Sequence, residues 1–306
     1  MHTPQIVMYY QKPDPADYLI NTGYIVGYSE LDQEVARMGG QLYVAGGPGS
    51  YLGANTFSPV WKLVEGQLEQ VARAQADVIF DKGRFAGDTS ASMFNPKFVN
   101  DVCTDKWLMY QLFSELCPLT KLVSAYTELP TAIGEMRTQR IVVKPQTGME
   151  GTDILIGTAQ EAPQYFGALP ALVSEFVDSS AGIPGVMVGR HDLRIAILNG
   201  KIIYAEFKTP PPNSLVASVT RGGSYSAVPI DQLPAAALEI VSRVEQVMQR
   251  EPNRFYAVDM MFGSAGPLIT ELNSRPAILP NSDGSDFAKL KTELAKVLVN
   301  LAHSAL

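Results

Sequence analysis

Lys144 closes an apolar run, "VVKP", and two glycines, Gly148 and Gly151, follow in "QTGMEGTD". A cation at a strand end ahead of a flexible loop suits phosphate oxygens. The ammonium offsets their charge while glycine-rich backbone folds its N–H groups over the anion. The order reverses that of the P-loop, where glycines precede Gly-Lys-Ser/Thr and a helix, and no such string occurs in the chain. Alone, a lysine at a strand end also fits an ordinary solvated surface.

A second group lies downstream in "VDMMFGSAGPLITELN". Read as a hairpin whose tight connection pairs Gly263 with Pro267, this stretch sets Asp259 opposite Glu271. Asn273 then shares the Glu271 face by strand alternation. Two carboxylates and an amide oxygen are hard donors of the kind Mg²⁺ takes alongside substrate phosphates. In isolation the pattern also fits a solvated strand face without metal. Lysine, glycine loop and oxygen cluster together are much harder to explain as unrelated surface features.

Two unlike halves must position these groups. Up to about residue 100, "QIVMYY", "QLYVAGG" and "ADVIFDK" read as strands, and "SELDQEVARMG" and "VWKLVEGQLEQVARAQ" as helices. The second helix is suggested by Leu63, Leu68 and Val71. Such alternation predicts a small parallel α/β domain. Lys82 and Arg84 follow its third strand, and ligands gather at the carboxyl ends of strands in open α/β sheets. Both are therefore substrate-side candidates, with a plain surface role as the alternative. "AGGPGSYLG" carries only the first two glycines of a dinucleotide fingerprint and reads as a loop.

Near residue 100, "NDVCTDKWLMYQLFSEL" reads as a helix burying Trp107, Leu108, Leu112 and Leu116. Beyond residue 140 the chain turns to hairpins. "RIVVKP" and "TDILIG" flank the glycine loop, and "ALVSEFVD" is another strand. "HDLRIAILNGKIIYAEFK" holds Asn199-Gly200 between two apolar runs, a strong hairpin signal. "PAAALEIVSRVEQVMQR" and "DFAKLKTELAKVLVNLA" read as amphipathic helices. Antiparallel hairpins with packed helices predict α+β structure.

Composition removes several function classes. The net charge of −7 argues against broad nucleic-acid binding. No apolar run reaches the length of a membrane span. His2, His191 and His303 are scattered, and no G-x-S-x-G elbow is present, which argues against histidine zinc sites and Ser-His-Asp chemistry. Cys103 and Cys117 are too few for a disulfide framework, and "MHTPQIVMYY" lacks a secretory pattern, so a cytoplasmic location is expected.

The sequence resembles the ATP-grasp carboxylate–amine ligases, nearest the bacterial glutathione synthetase and ribosomal-protein glutamyl ligase branch. "VVKPQTGMEGTDI", "HDLRIAILNGKIIYAE", "RGGS" and "VDMMF…PLITELNSRP" follow that branch's motifs in order over roughly residues 100–280. The resemblance implies a small N-terminal parallel α/β domain (residues 1–100) followed by an ATP-grasp fold of two α+β subdomains. The central one (101–178) would carry the phosphate loop and the C-terminal one (179–306) the metal site.

The resemblance also implies residue roles. Lys106 and Lys144 would reach the ATP phosphates. Gly148, Met149, Glu150, Gly151 and Thr152 would form the loop over them. Glu175, Phe176 and Val177 match the adenine hinge, Asp192 a ribose-contacting acid, and Lys208 a further nucleotide contact. Asp259, Glu271 and Asn273 match ligands of Mg²⁺, or of Mn²⁺ in its place. Arg194, Arg221 and Arg275 would bracket the acyl phosphate or a substrate carboxylate, with Gly222 and Gly223 beside them. Two positions depart from the branch: Glu150 puts an anion in the loop, and Lys208 stands where arginine is common.

The implied activity joins a small carboxylate and an amine, both amino acids or short peptides, in an amide through an acyl phosphate. Ligation to a protein or peptide tail is the alternative acceptor chemistry. "NPKFVNDVCTDKWLMYQL" is also similar to spore-coat-associated ATP-grasp proteins, which keeps a non-catalytic nucleotide-binding role open. A homodimer is a family-level expectation, and neither a nucleic-acid nor a membrane partner is expected.

Overall fold

The structure is a computed structural model that describes residues 2–15, 19–20, 23–64, 66–148, 153–165, 167–217, 222–281 and 286–304. Strand β1 (Gln5–Tyr10) is buried from Ile6 onward, as the middle of a covered parallel sheet must be. Helix α1 (Ile25–Arg37) follows and turns Tyr28, Leu31 and Val35 inward. It returns to β2 (Gln41–Gly46), parallel to β1. The "GGPGS" segment is a loop with a 3-10 turn at Pro48–Ser50, as read.

Next come β3 (Tyr51–Gly53), β4 (Thr56–Phe57), β5 (Val60–Val64), β6 (Gln67–Val71) and β7 (Ala74–Gln75). β8 (Val78–Asp81) and β9 (Ser92–Phe94) follow. The main sheet has the order β6-β5-β2-β1-β8-β9, and β3, β4 and β7 form a small side sheet. One helix expected here is a hairpin instead. Val60 meets Val71 and Leu63 meets Leu68 across β5 and β6, and Gly66 turns the chain at φ 79°. Cross-strand pairing thus gathers the apolar residues that had suggested a helical face.

The stretch read as one helix near residue 100 is two: α2 (Lys97–Thr104) and α3 (Lys106–Phe113). Asp105 between them is extended, and its Oδ1 accepts from the backbone N–H groups of Trp107 and Leu108, an N-cap that starts the second helix. The buried face of α3 is Lys106, Met109 and Phe113. Trp107, Leu108 and Leu112 are half-buried, while Leu116 is buried as expected.

β10 (Thr120–Val123), α4 (Leu129–Gly134), β11 (Arg140–Pro145), β12 (Leu155–Thr158) and β13 (Ala171–Glu175) make the next unit. Its antiparallel sheet runs β10-β13-β11-β12. The last sheet contains β14 (Asp192–Leu198), β15 (Lys201–Thr209) and β16 (Ser224–Ala227), then α5 (Ala235–Met248) crosses to β17 (Phe255–Gly263) and β18 (Gly266–Asn273). Its order is β16-β15-β14-β17-β18, so β18 is an edge. Asn199 and Gly200, at φ 47° and 82°, make the predicted tight turn.

One face of this sheet is apolar throughout: Leu193, Ile195, Val258 and Met260 pack with residues of α2, α3 and α5. The other face is divided. Ala196, Leu198, Tyr204 and Ala257 pack toward the first sheet, and charged side chains occupy the remainder. The final helix, α6 (Phe287–Ser304), lies against α1 and completes the core of the first sheet through Leu290, Leu294 and Leu298. The parallel α/β unit is therefore closed by a segment from the 179–306 region. No helix among the described residues is long and apolar enough to cross a membrane.

Candidate active site

Asp105 does more than cap α3. Its Oδ2 accepts from the Gln146 side-chain amide at 2.8 Å, and the Lys106 N–H donates to the Gln146 carbonyl at 3.0 Å. These bonds dock the start of α3 against the end of β11. Lys106 Nζ consequently donates to the Gly148 carbonyl at 2.8 Å and lies 3.5 Å from Glu271 Oε1. From β11, Lys144 Nζ donates to the Thr270 carbonyl at 3.1 Å. Burial lowers the Lys144 ammonium's pKa; Glu271 opposes that shift and Lys106 adds to it. Both predicted lysines thus meet at the edge strand β18.

The hairpin that carries the oxygen donors differs from its prediction in one respect. Gly263 pairs with Gly266 and Phe262 with Pro267, one residue tighter than expected. A bulge then inserts Thr270 between Ile269, which opposes Met260, and Glu271, which opposes Asp259. The predicted Asp259–Glu271 register is restored. A bulged residue drops out of the strand ladder, and it is the Thr270 carbonyl that Lys144 takes.

Across the sheet, Glu206, Arg194, Asp259 and Glu271 stand in one register row. Arg194 grips Asp259 with both arms, Nε to Oδ1 at 2.7 Å and Nη2 to Oδ2 at 2.6 Å, and Lys208 Nζ adds a bond to Oδ2 at 3.1 Å. Burial alone would raise the Asp259 pKa, but Arg194 and then Lys208 hold it well below the usual carboxylate range. Lys208 also lies 3.4 Å from Asp192 Oδ2, whereas Asp192 Oδ1 is buried without a partner. Burial pushes Asp192 up to about 6 against the pull of Lys208.

The donor set was tested against a divalent cation. An ionised carboxylate offers about four lone-pair sites, and Arg194 and Lys208 occupy three on Asp259, which leaves one at Oδ1. Glu271 is about a third exposed, and its ion pair among the described residues is the long contact to Lys106. Asn273 Oδ1 accepts from the Arg275 N–H at 2.8 Å. Glu271 and Asn273, with the remaining Asp259 lone pair, suit a hard oxygen-seeking ion. Among the described residues no three His, Cys, Asp or Glu side chains are placed to hold a metal ion by themselves, so Asn273 would have to complete such a set.

Other expected residues fall into four groups. Met149, Glu150, Gly151, Thr152 and Arg221 lie outside the described residues. At the hinge, Glu175 ends β13 and its Oε1 accepts from the Arg137 N–H; the Phe176 N–H is held by Arg140 O and Thr138 Oγ1; and Val177 is buried beside Gly263. Gly222 and Gly223 open the edge strand β16, away from the row of acids and bases. Lys82 is buried at the end of β8, while Arg84 is exposed at φ 60°. The sequence reading missed the depression between the lysines and β18, lined by Met109, Tyr110, Thr120, Leu172, Ser174 and Ile269. It also missed Asp105 and Glu206. Only Asp105 carried a local signal, an N-cap residue ahead of a helical run.

The ATP-grasp domain profile matches residues 103–278, more than half of the chain. A "Probable alpha-L-glutamate ligase" from Shewanella halifaxensis is 27% identical over 156 residues, covering 48% of this chain and 31% of that protein. The chain spans between 31% and 65% of the lengths of the curated relatives it matches. D-alanyl-alanine synthetase A from Vibrio cholerae superposes with a TM-score of 0.65 at 12% identity, covering 100% of this chain and 99% of that one. The ATP-grasp ligase PsnB, complexed with minimal precursor, Mg and ADP, gives 0.56 at 13% identity over 97% and 98%. At such identities the structural likeness speaks to fold alone. It agrees with the three-sheet architecture, and together with the match over residues 103–278 it places the chain in the ATP-grasp family.

Proposed function

We propose that the protein is an ATP-dependent carbon–nitrogen ligase that activates a carboxylate as an acyl phosphate and passes it to an amine. The observation that carries this reading is the convergence of Lys106 and Lys144 on Glu271 and Thr270 at the edge of β18. A carboxylate is a poor electrophile and a poor partner for a triphosphate, because both are anions. Lys106 and Lys144 offset the phosphate charge, and Arg194 and Lys208 keep Asp259 ionised. This is catalysis by positioning and electrostatics.

In the reaction, a substrate carboxylate oxygen attacks the γ-phosphorus and ADP leaves. The amine nitrogen then attacks the acyl carbon, loses a proton, and inorganic phosphate departs. Asp259, Glu271 and Asn273 would hold Mg²⁺, which supplies further charge neutralisation at the phosphate oxygens when bound. Lys106, Lys144, Arg194 and Lys208 already face Asp192, Glu206, Asp259 and Glu271, so a triphosphate brings excess negative charge to a roughly balanced site. The likeness to a "Probable alpha-L-glutamate ligase" supports amino-acid substrates. A peptide acceptor is kept as the second reading, because the same fold in PsnB is seen complexed with a precursor.

The test is ATP-dependent phosphate release over pairs of amino acids and amines, with mass spectrometry of products. Lys144→Ala and Glu271→Ala should each lower turnover by about 100-fold or more while the fold is retained. Modification of a co-expressed peptide would favour the peptide acceptor. ATP binding without turnover across the panel would refute the ligase.

A further inference from the structure

In the first sheet, strand order reverses at β1: the chain passes to β2 on one side and later to β8 on the other. Such a switch point opens a crevice at the carboxyl ends of the strands. Lys82 stands there, the first residue beyond β8, fixed by its N–H bond to the Tyr9 carbonyl at 2.9 Å. It is 2% exposed, and its Nζ has no hydrogen-bond partner among the described residues. The rings of Tyr28 and Phe80 lie 5.4 and 5.1 Å from the nitrogen.

Among the described residues, nothing acidic answers this amine. Its sequence neighbour Asp81 spends its carboxylate on the Gly83 and Phe85 N–H groups and the Asn100 amide, at 2.8, 2.9 and 2.9 Å. Tyr28 belongs to the first turn of α1, which carries no acid and no capping side chain, so the positive end of that helix lies nearby. Arg275, just past β18, adds positive charge at Lys82. Burial lowers the Lys82 ammonium's pKa to about 7, and Arg275 contributes to the shift. Aromatic faces offset only part of such a cost, and a buried ammonium otherwise requires an anion.

We propose that this corner binds a carboxylate of the substrate, with Lys82 as its direct ligand and the α1 N-terminus and Arg275 supporting the charge. The word substrate rests on the ligase reading; the anion site itself does not. The site assigns recognition of the acid to the first sheet and leaves the phosphates to the cleft at β18.

Acetate serves as a minimal carboxylate probe, titrated into the full chain carrying isotope-labelled lysines, with the Lys82 signal assigned by Lys82→Met. A saturable shift at Lys82 is expected, together with an acetate affinity at least tenfold weaker in Lys82→Met and unchanged in Lys97→Met, a surface control. An unresponsive Lys82 signal, equal acetate affinity in Lys82→Met, or tighter binding of inorganic phosphate than of acetate at Lys82 overturns the proposal. Should Lys82→Met fail to fold, Lys82→Arg supplies the assignment and the wild-type titration then decides. Neither ATP nor turnover is needed. Acetate binding without ligase activity would leave the site and remove the ligase reading, and ligase activity with an unresponsive Lys82 would do the reverse.

Discussion

The cleft at β18 and the strand ends of the first sheet handle buried cations in opposite ways. In the cleft, Lys106 and Lys144 each hold a backbone carbonyl, Arg194 grips both oxygens of Asp259, and Lys208 bridges two acids. At the end of β8, Lys82 Nζ meets only aromatic faces among the described residues and makes no hydrogen bond there. A cation with a protein partner stabilises the free fold and must exchange that partner for a ligand. A cation without one costs stability until a ligand arrives.

The sharpest way to break this comparison is Arg194→Met. It removes the bidentate partner of a buried carboxylate and should cost about 3–5 kcal/mol in urea unfolding. A loss below about 1 kcal/mol would mean that the cleft charges are not held as pairs.

Lys82→Met should act in the opposite direction. The unfolded chain keeps this proton up to an ordinary 10.5, while the folded chain releases it near 7, so the penalty is complete below pH 7. It fades as pH rises toward 10.5. The variant should therefore gain about 2 kcal/mol or more at pH 6 and nothing near pH 10.5, as followed by thermal melts across pH. A destabilised variant at pH 6 would erase the contrast.

The smallest effect belongs to Asp105→Ala. Loss of the α3 cap costs about 1 kcal/mol, and because Gln146 is released too, nucleotide affinity should fall together with stability. Calorimetry on the variant would show whether the two move in step.

What could be read beforehand follows from range along the chain. Hairpins carry their own register, so Asn199-Gly200 and the pairing of Asp259 with Glu271 were legible, even though the tighter turn and the Thr270 bulge cancel each other. Arg194 and Lys208 reach Asp259 from 65 and 51 residues away, with α5 intervening, and no local pattern states which strands become neighbours. Likewise β13 inserts between β10 and β11, which brings Ser174 to Thr120 unannounced. Leu63, Leu68 and Val71 were misread because a short apolar series fits a helix and a hairpin equally well. The position of Lys82 at a strand end was visible, but its isolation depends on Tyr28 and on Asp81 being otherwise engaged.

Helix α6 carries a consequence for how the molecule is made. Strands β1, β2 and β8 leave the ribosome well before the Leu290–Leu294–Leu298 stripe that covers them. The strands of the first sheet therefore wait, with apolar faces uncovered, until α6 has been made. Vectorial, piece-by-piece maturation is denied to them, and a nascent chain halted before α6 should engage holdase chaperones.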